Sequence, residues 1–489
     1  MTKQEAVIKY IEDNYLQHNR LRHDVISDKL QLRMEKPTPD PFLKDGGNSA
    51  AHKSFPSGED LGEAVVWREM TKQDINSIVC HAAQEYDTNI TSREVITALQ
   101  SDLIPNVHPL REYILSLRPY TPDQPDWIDM VASQVRISPA PESATDRPKG
   151  LSERTACCQT TMLLDRPYGA DRPTNLTGEA DLTVNEVNGL ASNSSQCERS
   201  KADRLWRTCF KKWFVAMVAS WMRDEVVNHQ VLVLIGRQGI YKTTWLEHLI
   251  PPHLRAYTCK LANSTDLNKD ERMRIAEFGL ISLDEIDSMN NRELNQLKSI
   301  ITATDVNERA AYAYTKERRV RLASFCASGN RRDFLTDITG NRRWLPFEVE
   351  SILNPFHTIL PYEQLYAQAW ALAQDPLFSY WFDLDEIEVL EQHNQHFRDE
   401  SNEEQLLPIL FDVPAEGRGE FMTTAQISER LVTYGNIKKP MALSRLGMVL
   451  GTAGYKATKR KIGNTQTRGW IVYQRDTDEI SALRRILKD

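Results

Sequence analysis

The spacing of hydrophobic positions changes several times along the chain, and each change predicts a different element. Val7, Ile8, Ile11 and Tyr15 recur at helical spacing, so residues 1 to 33 read as helical. Pro37 to Asp60 is a break rich in Pro, Gly and Ser. From Leu61 to Ser101 two short helices follow, the second opening on Thr91 with Glu94 three residues on, a capping box. Asn106 to Leu117 and Trp127 to Val131 add short apolar stretches around a Pro-punctuated loop. From Ser138 to about Asp203 Pro, Ser, Thr, Asn and Gly dominate; such a segment buries too little surface to offset its ordering entropy and is expected to be a flexible linker or insertion. Helical spacing returns at Arg204. Leu205, Trp206, Cys209, Phe210, Trp213, Phe214, Met217 and Trp221 predict a helix packed on the core of the next domain, with Lys211 and Lys212 solvating its outer face.

Strand patterns take over after that helix. Val231 to Ile235 is a continuous β-branched run, and Phe278 to Leu283, Arg321 to Asn330 and Trp344 to Val349 read as further strands. Tyr362 to Ala373 is helical, followed by acidic stretches through Trp381 to Glu391 and Glu400 to Glu404. Helices at Thr424 to Tyr434 and Met441 to Gly451 precede two strands, Tyr455 to Ile462 and Gly469 to Gln474, around a turn at Gly463-Asn464. That order outlines a winged helix.

Composition narrows the class. A chain of 489 residues, 40% hydrophobic and 26% charged, is expected to be a soluble protein of about three domains. No apolar run approaches the roughly 20 residues of a membrane span and Met1-Thr2-Lys3 opens no signal core, so a cytoplasmic protein with no membrane partner is expected. The seven cysteines are odd in number and never spaced C-x-x-C, which indicates neither a disulfide framework nor a zinc site. His393 and His396 lack a third ligand. The net charge of -8 restricts any DNA contact to local basic patches.

The candidate chemistry centres on Gly236, Gln238, Gly239, Ile240, Tyr241, Lys242, Thr243 and Thr244, where the first strand runs through a glycine-punctuated turn into an amphipathic segment (Trp245, Leu246, Leu249, Ile250). A phosphate-binding loop needs this order: backbone N–H groups and the helix dipole face phosphate oxygens, Lys242 reaches the terminal phosphates, and the Thr243 hydroxyl ligates Mg2+. The pattern G-x-x-x-x-G-K-[ST] puts glycine where Tyr241 stands. A bulky residue at positive φ is strained, so either the loop takes another path or the site is weakened. At the end of the second strand Asp284 would hold Mg2+ and Glu285 would take the proton from the attacking water. Asn330, ending the third, is placed to orient that water. Arg342 and Arg343 suit a neighbouring subunit's γ-phosphate if subunits form a ring; the alternative is a pair of solvated surface arginines. Residues 310 to 321 alternate aromatic and basic side chains about a turn at Thr315 to Glu317. As a pore hairpin it would place Lys316, Arg318 and Arg319 on single-stranded DNA; the alternative is a solvated hairpin. Between Phe421 and Arg475 ten basic residues meet only Glu429. A helix around Ser444, Arg445 and Met448 with a basic wing at Lys459, Arg460 and Lys461 would bind duplex DNA, a protein-docking domain being the competing account.

In this order Gly236 to Thr244, Leu283-Asp284-Glu285, Ala327 to Asn330 and Phe334 to Trp344 resemble the virulence-associated protein E family, superfamily 3 helicase-like AAA+ ATPases of phages and mobile elements. The resemblance covers residues 204 to 350, and Asn106 to Tyr113 resembles the family's upstream helical region. It implies an α/β fold with a P-loop AAA+ αβα core on a parallel sheet, a helical N-terminal region and a winged-helix-like C-terminal domain. It also implies ATP and Mg2+ as cofactors, a homo-oligomeric ring (a hexamer in the family), DNA as substrate and a primase or replisome partner. Lys242 and Thr243 would be Walker A, Asp284 and Glu285 Walker B, Asn330 sensor 1, and Arg342 or Arg343 the arginine finger. The expected layout is 1–135 helical region, 136–203 linker, 204–350 ATPase core, 351–415 helical subdomain and 416–489 basic domain. The expected function is an ATP-driven helicase, translocase or replication initiator. The alternative, which Tyr241 favours, is a nucleotide-gated DNA-binding or assembly protein with weak or no hydrolysis.

Overall fold

A computed structural model describes residues 1–34, 66–139, 190–261, 269–308, 317–335, 340–414, 419–462 and 465–486. The Pro37 to Asp60 break, most of the expected linker, Lys316 and the Gly463-Asn464 turn lie outside the described residues. Thr2 and Glu5 close a capping box on helix α1 (Lys3–Ile11), and a π-helical turn continues to Leu16. The helix expected to reach residue 33 stops there. Asn19 turns left-handed at φ 50° and Asp28 at φ 57°, and between and beyond them run strands β1 (Leu21–Asp24) and β2 (Lys29–Met34), paired as a hairpin. Asn and Asp tolerate this backbone region, so each ends one element and starts another. Strand β3 (Val66–Glu69) joins β2; after helices α2 (Lys72–Glu85) and α3 (Ser92–Leu99), strand β4 (Asn106–Val107) joins β1 in parallel. Val7, Ile11, Ile78 and Val95 pack the helices together around this four-stranded sheet. The expected helical N-terminal region is therefore mixed α/β. Strands of two to six residues carry too little alternation to stand out in the sequence.

Helices α4 (Pro109–Ser116) and α5 (Trp127–Ala132) lead to β5 (Val135–Ile137), and the long α6 (Leu190–Met222) precedes the central sheet. Its strands are β6 (Val231–Ile235), β7 (Thr258–Leu261), β8 (Leu280–Leu283), β11 (Ser324–Gly329) and β12 (Trp344–Ile352). Helices α7 (Lys242–His248), α8 (Lys269–Glu277) and α9 (Asn291–Thr302) and a hairpin of β9 (Asp305–Glu308) and β10 (Glu317–Val320) are interspersed among them. The strand order is β5-β12-β6-β11-β8-β7, parallel except for β5. Side chains alternate across it. Leu232, Leu234, Cys326 and Phe347 face the cluster built on α6, while Val231, Val233, Ile235, Phe325 and Ala327 face Leu294, Leu297 and Ile301 of α9.

The aromatic face of α6 is fully buried, as its periodicity predicts. Its indoles also satisfy their N–H groups on backbone carbonyls: Trp206 on Ala132 at 2.9 Å, Trp213 on Phe325 at 3.0 Å and Trp221 on Gly279 at 3.0 Å. The two lysines expected to solvate the outer face do otherwise. Lys211 pairs with Asp126, and Lys212, only 9% exposed, pairs with Glu386 at 2.5 Å. An ammonium that close to buried surface needs a carboxylate.

Helices α10 (Tyr362–Gln374), α11 (Leu384–Gln395) and α12 (Asn402–Leu410) follow β12. The C-terminal part adds β13 (Phe411–Asp412), β14 (Glu420–Met422), α13 (Thr424–Gly435), α14 (Leu443–Thr452), β15 (Lys456–Ile462), β16 (Thr465–Gln474) and α15 (Thr477–Ile486). Two helices and a hairpin therefore stand where the sequence puts them, with β16 longer than expected and paired to β13, β14 and β15. No helix among the described residues is long and apolar enough to cross a membrane.

Candidate active site

The carboxyl end of the parallel sheet carries the site. Strand β6 is buried throughout and ends at Gly236, where a β-carbon would come within 2.7 Å of the Val349 carbonyl oxygen on β12. Only glycine lets the two backbones approach so closely. The Gly236 N–H donates to Gly329 O at 3.1 Å, tying the turn to the end of β11. Gly239 sits at φ 85° and Tyr241 at φ 68°, ψ 17°. Of the two outcomes the sequence leaves open, the loop keeps its left-handed step and Tyr241 bears it. Helix α7 begins on the next residue, and Trp245 fixes its direction by packing on Trp206 and Phe210 and donating to Gln134 Oε1 at 3.1 Å.

Lys242, 7% exposed, donates to Gly236 O at 2.8 Å, Arg237 O at 2.7 Å and Asn330 Oδ1 at 3.3 Å. Burial lowers its pKa, and the Asp287 and Asp284 carboxylates oppose that shift. Thr243 Oγ1 lies 3.2 Å from Asp284 Oδ1. Ser328 completes the triangle: its hydroxyl is 2.9 Å from Thr243 Oγ1 and donates to Asp284 Oδ1 at 2.6 Å. Glu285 follows in a left-handed conformation, φ 53°. Two bulky residues in that region flank one cleft, and strain of this kind, on the order of 1–3 kcal/mol each, gathers at functional sites. The cleft, about 320 Å³, is lined by Gln238, Gly239, Tyr241, Lys242, Thr243, Thr244, Asp284, Glu285, Ser328, Gly329 and Asn330.

The strand that ends in two acids, second in the chain after the glycine-turn strand, is not its neighbour in the sheet. Strand β11 lies between β6 and β8. Asp284 therefore meets Thr243 across the end of an intervening strand, and Ser328 on that strand spans the gap. Sequence reasoning misses Ser328 because its role depends on strand order. It also misses Asp287, whose carboxylate accepts from the Asn330 N–H at 3.1 Å and the Arg331 N–H at 3.2 Å and so fixes the turn that presents Asn330. The acidic run Asp284-Glu285-Ile286-Asp287 is the signal that was available for it.

A hard divalent cation fits the oxygen donors present. Thr243 Oγ1 and Asp284 Oδ1 offer one hydroxyl and one carboxylate side by side, a sparse protein contribution that would suit Mg2+, an ion that usually keeps several water ligands. Among the described residues no group of three or more His, Cys, Asp or Glu side chains forms a metal cage. His393 belongs to the core: its Nε2 meets Pro346 O at 2.7 Å and burial pulls its pKa down to about 4.

Other candidates are placed elsewhere. Arg342 and Arg343 precede β12, whose Trp344 pairs with Val231 and whose Glu348 pairs with Ile235. They stand at the amino edge of the sheet, a strand length of about 16 Å from the glycine turn. Burial lowers the Arg343 pKa and neighbouring Arg342 adds to it. Arg318 pairs with Asp305 across the β9–β10 hairpin and Arg319 with Asp28 at 3.2 Å. Arg445 reaches the buried Glu404 at 3.5 Å, whereas Lys459, Arg460 and Lys461 are exposed on β15, with Arg460 over the Phe421 ring. Arg321, 1% exposed and in no ion pair among the described residues, donates to Ala323 O at 3.0 Å, Asn228 O at 2.8 Å and the α9 terminal carbonyls of Ile301 and Ala303. Burial brings its pKa down to about 9.

The model of the virulence-associated protein E-like domain matches residues 181–399. Among solved structures, the chain is similar to the apo structure of the NrS-1 C-terminal region (305–718), at 11% identity and a TM-score of 0.38, over 96% of this chain and 100% of that one. An A-form apo structure of the same region gives 10% identity and a TM-score of 0.38, over 96% of this chain and 99% of that one. No curated protein matches the chain.

Proposed function

We propose that this chain, which carries a virulence-associated protein E-like domain over residues 181–399, is an Mg-ATP-dependent DNA translocase or replication initiator of a mobile genetic element. One observation carries the reading: Lys242, Thr243, Asp284 and Asn330 meet at the carboxyl end of a parallel sheet, where ligands of such sheets bind. On this reading residues 204–350 are a P-loop AAA+ core and the two-helix hairpin unit at the C-terminus is a winged helix.

Lys242 exchanges its contacts with the Gly236 and Arg237 carbonyls for β- and γ-phosphate oxygens, a stronger charge-assisted bond. Thr243 and Asp284 would hold Mg2+, which would supply charge neutralisation to those phosphates. Glu285 accepts the proton of the attacking water and Asn330 orients it. Arg342 and Arg343, at the far edge of their own sheet, reach the γ-phosphate of a neighbouring subunit in a homo-oligomeric ring. The β9–β10 hairpin lies on the DNA path. Lys459, Arg460 and Lys461 add phosphate contacts.

Phosphate release measured with and without single-stranded DNA tests this. Stimulated turnover is expected, with Lys242→Ala lowering it at least about 100-fold and Glu285→Gln binding ATP without cleaving it. The left-handed Tyr241 favours a second reading, a nucleotide-gated assembly protein with weak hydrolysis. A flat, near-zero rate with intact ATP binding would select it.

A further inference from the structure

Helix α7 leads away from the phosphate-facing turn and carries Thr244 and, about one turn further on, His248. Thr244 lines the cleft. His248 Nδ1 lies 2.7 Å from Thr244 O, which assigns it the N–H and holds the ring against the helix. Beyond the end of β12 the chain makes a turn organised by Asn354, whose Oδ1 accepts the Phe356 N–H at 3.0 Å and whose carbonyl accepts from His357 N at 3.1 Å and Thr358 Oγ1 at 3.0 Å. That turn holds Phe356 out, 69% exposed, with its ring edge-on to two others: Tyr241 at 6.4 Å and His248 at 5.5 Å between centroids.

Rings from the turn, from helix α7 and from the loop after β12 thus meet beside the cleft that Tyr241 and Thr244 line. Tyr241 belongs to both assemblies, since it lines the cleft and touches Phe356.

We infer that Phe356, with Tyr241 and His248 beside it, is the platform on which the base of the nucleoside triphosphate stacks. The inference rests on the ATP-binding reading of the same cleft. It gives Tyr241 a purpose: the residue that takes the strained step in the turn also supplies an aromatic wall to the nucleoside.

The test compares Mg-ATP with magnesium tripolyphosphate, which has the phosphates and no base, by calorimetry on the full chain. Phe356→Ala is expected to weaken ATP binding about tenfold or more, the loss of one base-stacking contact, while tripolyphosphate binds as before. Phe356→Trp should restore ATP binding. Leu353→Ala, at an exposed neighbour in the same loop, should change neither. Unchanged ATP affinity in Phe356→Ala, or equal weakening of both ligands, would overturn the platform while leaving the phosphate site standing. Wild-type protein that binds neither ligand would overturn the ATPase reading and the platform with it.

Discussion

Replacing Tyr241 by glycine and by alanine separates backbone strain from ring contact. At φ 68° a residue with a β-carbon gives up about 1–2 kcal/mol relative to glycine. Glycine in turn loosens the unfolded chain, which returns about 0.4–1 kcal/mol of that gain. The net difference favours Tyr241→Gly over Tyr241→Ala by about 0–1.6 kcal/mol, about 0.8 kcal/mol at the midpoints, the reverse of their order at an ordinary helical position. Both variants lose the edge contact with Phe356, worth about 0.5 kcal/mol for rings this exposed, so that term cancels between them. Urea unfolding followed by tryptophan fluorescence suits the measurement, because Trp245 lies in the first turn of α7 and is buried against Trp206. The expected result is a higher midpoint for glycine than for alanine at equal slope. An alanine variant more stable than the glycine variant would refute the claim that Tyr241 is held in a left-handed conformation.

Ser328→Ala removes the hydroxyl that joins Thr243 to Asp284 and should lower kcat/KM for Mg-ATP about tenfold with little change in Tm; unchanged kinetics would count against the bridge. Arg321→Met leaves the Asn228 and Ala303 carbonyls and the end of α9 without their donor, and a loss of about 3 kcal/mol or more in urea unfolding is expected, against no change if the cage is incidental. The unfolded His393 ring titrates near 6.5 and the folded one near 4, so the unfolded chain takes up the extra proton between these values. Its contribution, about 3 kcal/mol, is complete above pH 6.5 and lost as pH falls toward 4. The Tm should therefore fall as pH is lowered from 6.5 toward 4, and His393→Gln should flatten that dependence.

The glycine turn, the acid-ended strand and the strand ending at Asn330 are legible in the sequence because each joins a continuous buried run to a residue type that such a run rarely needs at its end. Helix α6 is legible from Leu205 on because its aromatic residues repeat over about four turns, whereas its first part, Leu190 to Asp203, falls in the polar stretch expected to be a flexible linker. Strands β1 to β4 are not, since Leu30 and Leu32 provide one alternation within a hairpin whose turn depends on Asp28. Ser328 and Phe356 escape for another reason. Each acquires its place only when distant segments pack: Ser328 because β11 falls between β6 and β8, and Phe356 because the turn after β12 folds back over α7. The left-handed step at Tyr241 could be foreseen from the glycine pattern, but its ring partners could not.

Strand β11 has one more consequence. Its far end runs back through Arg321 directly into the arm of the β9–β10 hairpin, while its near end presents Ser328 and then Asn330. The hairpin and the cleft are thus joined by a single short, buried strand, and the guanidinium of Arg321 is pinned among carbonyls at the joint.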